Sequence, residues 1–139
     1  GEEYWLAEIT KRPWIKYHGV LADPGPMYAM VHVTITTTYH EGLSTVCIES
    51  GACARPVIGS DIYGVREVIS DRITGFLISP GRVSDVVEKI GIFYKLTIGQ
   101  RLEMGRAARQ KVELEFDRKI VVVLYKKVIN EYITKKGEL

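Results

Sequence analysis

HVTITTTYHEGLSTVCIESGACARPVIGS, residues 32–60, decides the fold of this 139-residue chain. Its first seven residues are dense in β-branched side chains, whose stiff χ1 suits a pleated surface, and they predict a strand over residues 32–38. A turn through Gly42 follows. Ser44 then stands where an N-cap would, ahead of an apolar-periodic run that predicts a helix from about Thr45 to Ala54. RPVIGS closes the stretch with a short apolar strand at residues 57–59. Strand, helix, strand is the parallel βαβ unit, so the class is α/β, a Rossmann-like sheet with helices on both faces. In such sheets ligands sit at the carboxyl ends of the strands, which is where Tyr39–Thr45 falls.

Working outward, EEYWLAEITK places Trp5, Leu6 and Ile9 at helical spacing before Pro13, and predicts that the chain opens in a helix. WIKYHG alternates apolar and polar residues into a glycine and predicts a strand at residues 14–18, with a short helix at residues 26–31 after it. Downstream of the central unit, GVREVIS reads as a helical turn or two, DRITGF as a bend, and residues 75–78 as another strand. From Val83 the pattern is helical, with breaks near Gly99 and Asp117. Asp117 suits the N-cap of a last helix whose Val121, Leu124, Tyr125, Val128 and Tyr132 form one apolar face.

A chain 46% hydrophobic at this length buries one sizeable core, and residues 1–139 read as a single domain. Nineteen Lys and Arg against 17 Asp and Glu give a net charge of +2. Such a balance makes no molecule-wide field, so no nucleic-acid partner is expected and any anion site must be local. Cys47 and Cys53 point in different directions along the expected helix, which argues against a disulfide and fits a reducing cytoplasm. No run of about eighteen apolar residues and no signal-peptide core occurs, so the expectation is a soluble, cytoplasmic chain. There is no His or Cys cluster at zinc spacing and no Asp-x-Asp pair, so no metal is expected. His18, His32 and His40 read as strand-end or solvated residues.

The chemistry lies in YHEGLSTVCIES. Gly42 lets the backbone turn and come close to a ligand, and the N–H groups of Leu43, Ser44 and Thr45 then emerge from a helix N-terminus, a local site for a diphosphate. Glu49, about one turn into the helix, can accept two hydrogen bonds from a vicinal diol such as ribose. Glu41, on the loop side, can reach a second polyhydroxyl group. Two carboxylates that read hydroxyls, on either side of a diphosphate site, suit a nucleotide-sugar. Taken alone, the two glutamates read more readily as solvated surface residues.

From about Trp14 to its end the chain resembles the C-terminal, donor-binding domain of group 1 retaining glycosyltransferases of the GT-B fold. The resemblance rests on an ordered set: the Glu41-x7-Glu49 pair after a strand, a helix ending in small residues, the Pro-Val-Ile strand, a Gly64 turn with Glu67 after it, and the Gly-Phe-Leu strand. It implies that Glu49 binds the donor ribose, that Glu41 binds the transferred sugar at the catalytic centre, and that the backbone of Gly42, Leu43 and Ser44 holds the diphosphate, with Thr45 beside them. It implies no cofactor beyond the nucleoside-diphosphate sugar, which is a substrate. A glycan or lipid-linked acceptor, an N-terminal acceptor domain, and work at the inner face of a membrane are also implied.

The sequence departs from the family pattern at its start. The family has two further strands, with a Gly-rich turn and an Arg and a Lys that neutralise the leaving diphosphate, and Lys11, Arg12 and Lys16 do not stand in matching positions. The chain alone is therefore expected to be inactive or nearly so. In the family's strand order the missing strands would lie between residues 14–18 and residues 32–37, so those two either pair directly or leave an apolar sheet edge that invites self-association, and a fragment or an abnormal oligomer is expected. Lys126, Lys127, Lys135 and Lys136 offer a basic face to an anionic bilayer, against the plainer reading of a solvated helix face. In the family the last helix also braces the two domains. Two other readings stand beside the enzyme: a non-catalytic nucleotide-binding or interaction module, and a GT-B-type sugar-nucleotide epimerase.

Overall fold

In a computed structural model, which describes residues 2–137, the first strand of the quoted stretch forms as β1 (Thr34–Thr36) and pairs parallel with β2 (Val57–Ser60). Thr34 lies opposite Val57 and Thr36 opposite Gly59. On the other side of β2, β3 (Gly75–Ile78) pairs parallel as well, giving the sheet order β1-β2-β3. The connecting helix is α3 (Thr45–Ala52). It is shorter than expected because Ala54 adopts a left-handed φ of +54°, which a continuing helix cannot hold.

All four residues of β2 are buried, as a strand covered on both faces must be. One face carries Cys47 of α3, Val57, Val65, Val68, Ile69 and Val112. The other carries Ile58, Phe76, Ile78, Phe93 and Met104, brought by α4 (Val83–Lys95) and α5 (Ile98–Glu115). Each large aliphatic side chain buried here contributes about 2 kcal/mol relative to exposure. Close approach seats α5 against the carboxyl end of α3: a Cβ on Gly51 would stand 2.7 Å from Val112 Cγ2, and one on Gly105 2.3 Å from the Ala54 carbonyl oxygen. Ser50 Oγ, fully buried, donates to Thr34 Oγ1 at 2.8 Å and so pins α3 on β1.

The helical reading holds for α1 (Glu2–Thr10), α2 (Gly25–Met30) and α6 (Arg118–Gly137). Asp117 Oδ1 accepts the Lys119 N–H at 2.8 Å, as an N-cap does. Four expectations change. The strand at residues 14–18 does not form: these residues are exposed and meet no neighbouring strand, and an extended segment without a partner has no ladder to join. The first strand of the central unit covers three residues rather than seven, since β2 is its one partner and β1 is left as a sheet edge.

The break between α4 and α5 lies at Thr97 rather than Gly99. Thr97 Oγ1 accepts the Gln100 N–H and Gln100 Oε1 accepts the Thr97 N–H, a reciprocal cap that starts α5 at Ile98, one residue before the glycine. Finally, the apolar face of α6 does not enter the core: Val121, Leu124, Tyr125 and Val128 are 52–67% exposed. Lys126 and Lys127 lie on this helix, whereas the side chains of Lys135 and Lys136 fall outside the described residues.

Candidate functional site

The loop between β1 and α3 runs out at the carboxyl end of the sheet and carries Glu41, Gly42, Leu43 and Ser44. Its shape is imposed from the next βα connection. Gly64 has a φ of +86°, and a Cβ there would lie 2.6 Å from the Gly42 carbonyl oxygen and 2.8 Å from that of Glu41. Only a glycine can sit at that distance in that conformation. The Gly64 carbonyl accepts the Ser44 N–H at 2.8 Å, and Glu67 Oε2 accepts the Gly64 N–H at 2.6 Å. Glu67 thus braces a turn that in turn braces the Glu41–Ser44 loop.

This geometry corrects two expectations. The Ser44 amide does not point free from the helix N-terminus, because it already donates to Gly64. The N–H groups of Gly42, Leu43 and Thr45 make no hydrogen bond among the described residues and remain available. Nor does Gly42 supply a left-handed turn; that conformation belongs to Gly64. A Cβ on Gly42 would meet nothing within 4 Å, so what its bare backbone offers is open space for a ligand to approach.

Ser44 is the N-cap residue, as read, but its side chain does not cap: Ser44 Oγ is buried and makes no hydrogen bond of normal geometry. Burial pushes the Cys47 thiol up, against an opposing pull from the Ser44 hydroxyl and with a further push from the Glu41 charge. A thiol is a weak partner and leaves the hydroxyl undersatisfied. Ser60 Oγ, at the carboxyl end of β2, is likewise buried without a partner.

The two glutamates have different surroundings. Glu41 is half-buried and its carboxylate makes no hydrogen bond or ion pair within the described residues. Glu49, an exposed residue of α3, accepts a hydrogen bond on Oε2 from the Tyr28 hydroxyl at 3.1 Å. It lines an open cleft of about 200 Å³ with Asp23, Pro24, Gly25, Tyr28, Ala52 and Cys53, which Glu41 does not reach. Burial, then the contact with Glu49, pushes the Tyr28 phenol up to about 12, so it remains a neutral donor. Tyr28 is itself held in place: Arg55 donates from Nε to the Tyr28 carbonyl at 2.8 Å and from Nη2 to the Ala29 carbonyl at 2.9 Å.

Sequence reasoning missed Tyr28, which lies twenty-one residues from Glu49 and carries no motif. It also named Glu67 without a role, though a glutamate three residues after a glycine is a signal for this kind of brace. Arg66, on the same turn, is paired with Asp61 at 3.1 Å in a solvent-exposed ion pair. Among the described residues no group of three or more His, Cys, Asp or Glu could hold a metal ion, and no helix is long and apolar enough to cross a membrane.

A parallel sheet with helices on both faces, and a loop, a helix N-terminus and two carboxylates at its carboxyl ends, places the chain in the class of Rossmann-like α/β domains. Comparison with known proteins narrows that class. Residues 7–111 match the family described as glycosyl transferases group 1, and the chain belongs to that family.

Among curated relatives, the capsular polysaccharide biosynthesis glycosyltransferase CapM of Staphylococcus aureus is 29% identical over 115 residues, 81% of this chain and 30% of CapM. An N,N'-diacetylbacillosaminyl-diphospho-undecaprenol alpha-1,3-N-acetylgalactosaminyltransferase of Campylobacter jejuni is 25% identical over 119 residues, 86% of this chain and 31% of the relative. The chain therefore spans less than a third of either relative.

Among solved structures, sucrose-phosphate synthase of Thermosynechococcus elongatus superposes with a TM-score of 0.85 at 20% identity, over 96% of this chain and 34% of the other. HepE of Anabaena, solved with UDP-glucose, superposes with a TM-score of 0.77 at 22% identity, over 97% and 38%. The likeness confirms the GT-B, Rossmann-like fold of the chain.

Proposed function

We propose that the chain is the donor-binding part of a glycosyltransferase that moves a sugar, with retention at the anomeric carbon, from a nucleoside-diphosphate sugar to a glycan or lipid-linked acceptor. The observation that carries this reading is the placement of unused amides of Gly42, Leu43 and Thr45 at the N-terminus of α3, between the carboxylates of Glu41 and Glu49. In this reading Glu49 accepts from the ribose hydroxyls and Glu41 from the transferred sugar. The amides and the positive end of the α3 dipole face the diphosphate, where charge develops as the sugar departs. Ser44, buried, contributes by tethering the loop to Gly64 rather than through its amide.

No metal or further cofactor enters this scheme. Departure of a nucleoside diphosphate needs more charge stabilisation than amides provide. The chain alone is accordingly inactive: the acceptor site belongs to an N-terminal domain, and the cationic partners of the diphosphate to the two further strands of the family's donor-binding domain. That the Campylobacter relative is named for a diphospho-undecaprenol substrate supports a lipid-linked acceptor. CapM's role in capsular polysaccharide synthesis supports a glycan product.

Calorimetric titration with UDP, GDP and ADP tests the reading. One of the three is expected to bind, and Glu49→Ala to weaken it by about tenfold or more, the loss of hydrogen bonds to a charged acceptor. Binding that survives the substitution unchanged would remove Glu49 from the ribose site.

A further inference from the structure

Tyr28 and Glu49 come from different parts of the chain and meet in one cleft. The phenol is nearly buried at 9% exposure, its backbone is fixed by Arg55, and its hydroxyl donates to Glu49 Oε2. A buried tyrosine hydroxyl needs a partner, and here the partner is the carboxylate assigned to the ribose. The contact has two consequences for that carboxylate.

The first is conformational. Glu49 is an exposed side chain with several free rotors, and a single hydrogen bond from an immobile donor restricts them before any ligand arrives. The second is a matter of stoichiometry. An ionised carboxylate offers about four lone-pair sites on two oxygens. Tyr28 occupies one on Oε2, which leaves both oxygens able to accept, one hydroxyl each, from a vicinal diol. A phenylalanine in this position would keep the ring and the packing but release the carboxylate.

We propose that Tyr28 is a positioning residue for ribose recognition: it holds the Glu49 carboxylate in the orientation that accepts two adjacent hydroxyls, and so sets the preference of the site for ribonucleotides over deoxyribonucleotides. The proposal rests on the donor-binding reading of Glu49. The neutrality of the phenol, which burial and the Glu49 charge both favour, keeps it a donor across the physiological range. The cleft, at about 200 Å³, has the volume of several water molecules and admits a five-membered sugar ring. Asp23, the other carboxylate lining it, likewise accepts one hydrogen bond, on Oδ1 from the Gly25 N–H at 2.9 Å, and differs from Glu49 in having no tyrosine donor.

The test uses the full chain and its Tyr28→Phe variant, titrated with UDP, GDP and ADP, each beside its 2′-deoxy counterpart, with urea unfolding of both proteins as the structural control. The wild type is expected to prefer one ribonucleotide over its deoxy form. In the variant that preference falls about fivefold, the value of one lost positioning hydrogen bond, while affinity for the deoxy form stays level. In a Glu49→Ala background, Tyr28→Phe is expected to have no further effect, because the coupling runs through that carboxylate.

A ribose preference that survives Tyr28→Phe would overturn the role of Tyr28 and leave the donor-binding reading standing. An equal loss for both nucleotide forms would also overturn it, since a merely structural tyrosine weakens binding without changing discrimination. Failure of all three nucleotides to bind the wild type would overturn the donor-binding reading itself, and the role of Tyr28 with it.

Discussion

The two longest helices follow one another in the chain and have opposite fates. α5, IGQRLEMGRAARQKVELE, is the more polar, yet Met104, Ala108 and Val112 are buried on it. α6, RKIVVVLYKKVINEYITKKG, carries a run of Val, Leu and Tyr, yet Val121, Leu124, Tyr125 and Val128 are all more than half exposed. Apolar content therefore does not decide burial. What decides it is whether the facing surface offers a complementary shape. α5 has Gly51 and the Ala54 carbonyl to lie against, with Gly105 at the point of contact, while α6 meets no such surface among the described residues.

The sharpest way to break this comparison is to spoil the fit of α5. Gly105→Val would place a branched side chain where a Cβ alone stands 2.3 Å from the Ala54 carbonyl oxygen, and is expected to cost about 3 kcal/mol or more in urea unfolding. Leu124→Ala on α6, a change of the same three carbons, is expected to cost less than about 0.5 kcal/mol, as surface substitutions do. Equal effects would mean that α6 packs in solution after all.

Smaller, and local to the site, is Gly64→Ala. The left-handed φ and the 2.6 Å approach to the Gly42 carbonyl predict a loss of about 1–3 kcal/mol, together with weaker nucleotide binding, both measurable on one preparation. A variant that lost stability but bound normally would show that the Glu41–Ser44 loop holds its shape unaided. Replacing Val121, Leu124 and Val128 together by Ser is read in association rather than in stability. Here the readout is sedimentation velocity: a large exposed apolar face favours self-association, and the triple variant is expected to be more monomeric at high concentration than the parent. Unchanged association would shift attention to the open edge at β1.

Those contrasts also explain what could be read from the sequence. β2, β3, α2 and the Asp117 cap were legible because their signals are local: an apolar run of four, a proline near the start of a helix, an aspartate two residues before the amide it accepts. The segment at residues 14–18 has equally good local signals and forms no strand, because a strand is a property of two segments and only one is present in the sheet. The site divides in the same way. Glu41, Gly42 and Glu49 were nameable from their order along the chain. That the Ser44 amide is occupied was not, because its acceptor lies twenty residues on, at Gly64. Tyr28 was invisible for the same reason.

Arg55 has one more consequence. A six-residue helix is too short to persist alone in water, and α2 is joined to the body of the domain by the two hydrogen bonds of a single guanidinium and by the Tyr28 side chain. In hydrogen-exchange terms, α2 should behave as one opening unit whose amides are released together, well before those of β2. The carboxylate at Glu49 is then only as well ordered as that unit. Its readiness for a ligand then depends on Arg55, a residue that does not line the Glu49 cleft.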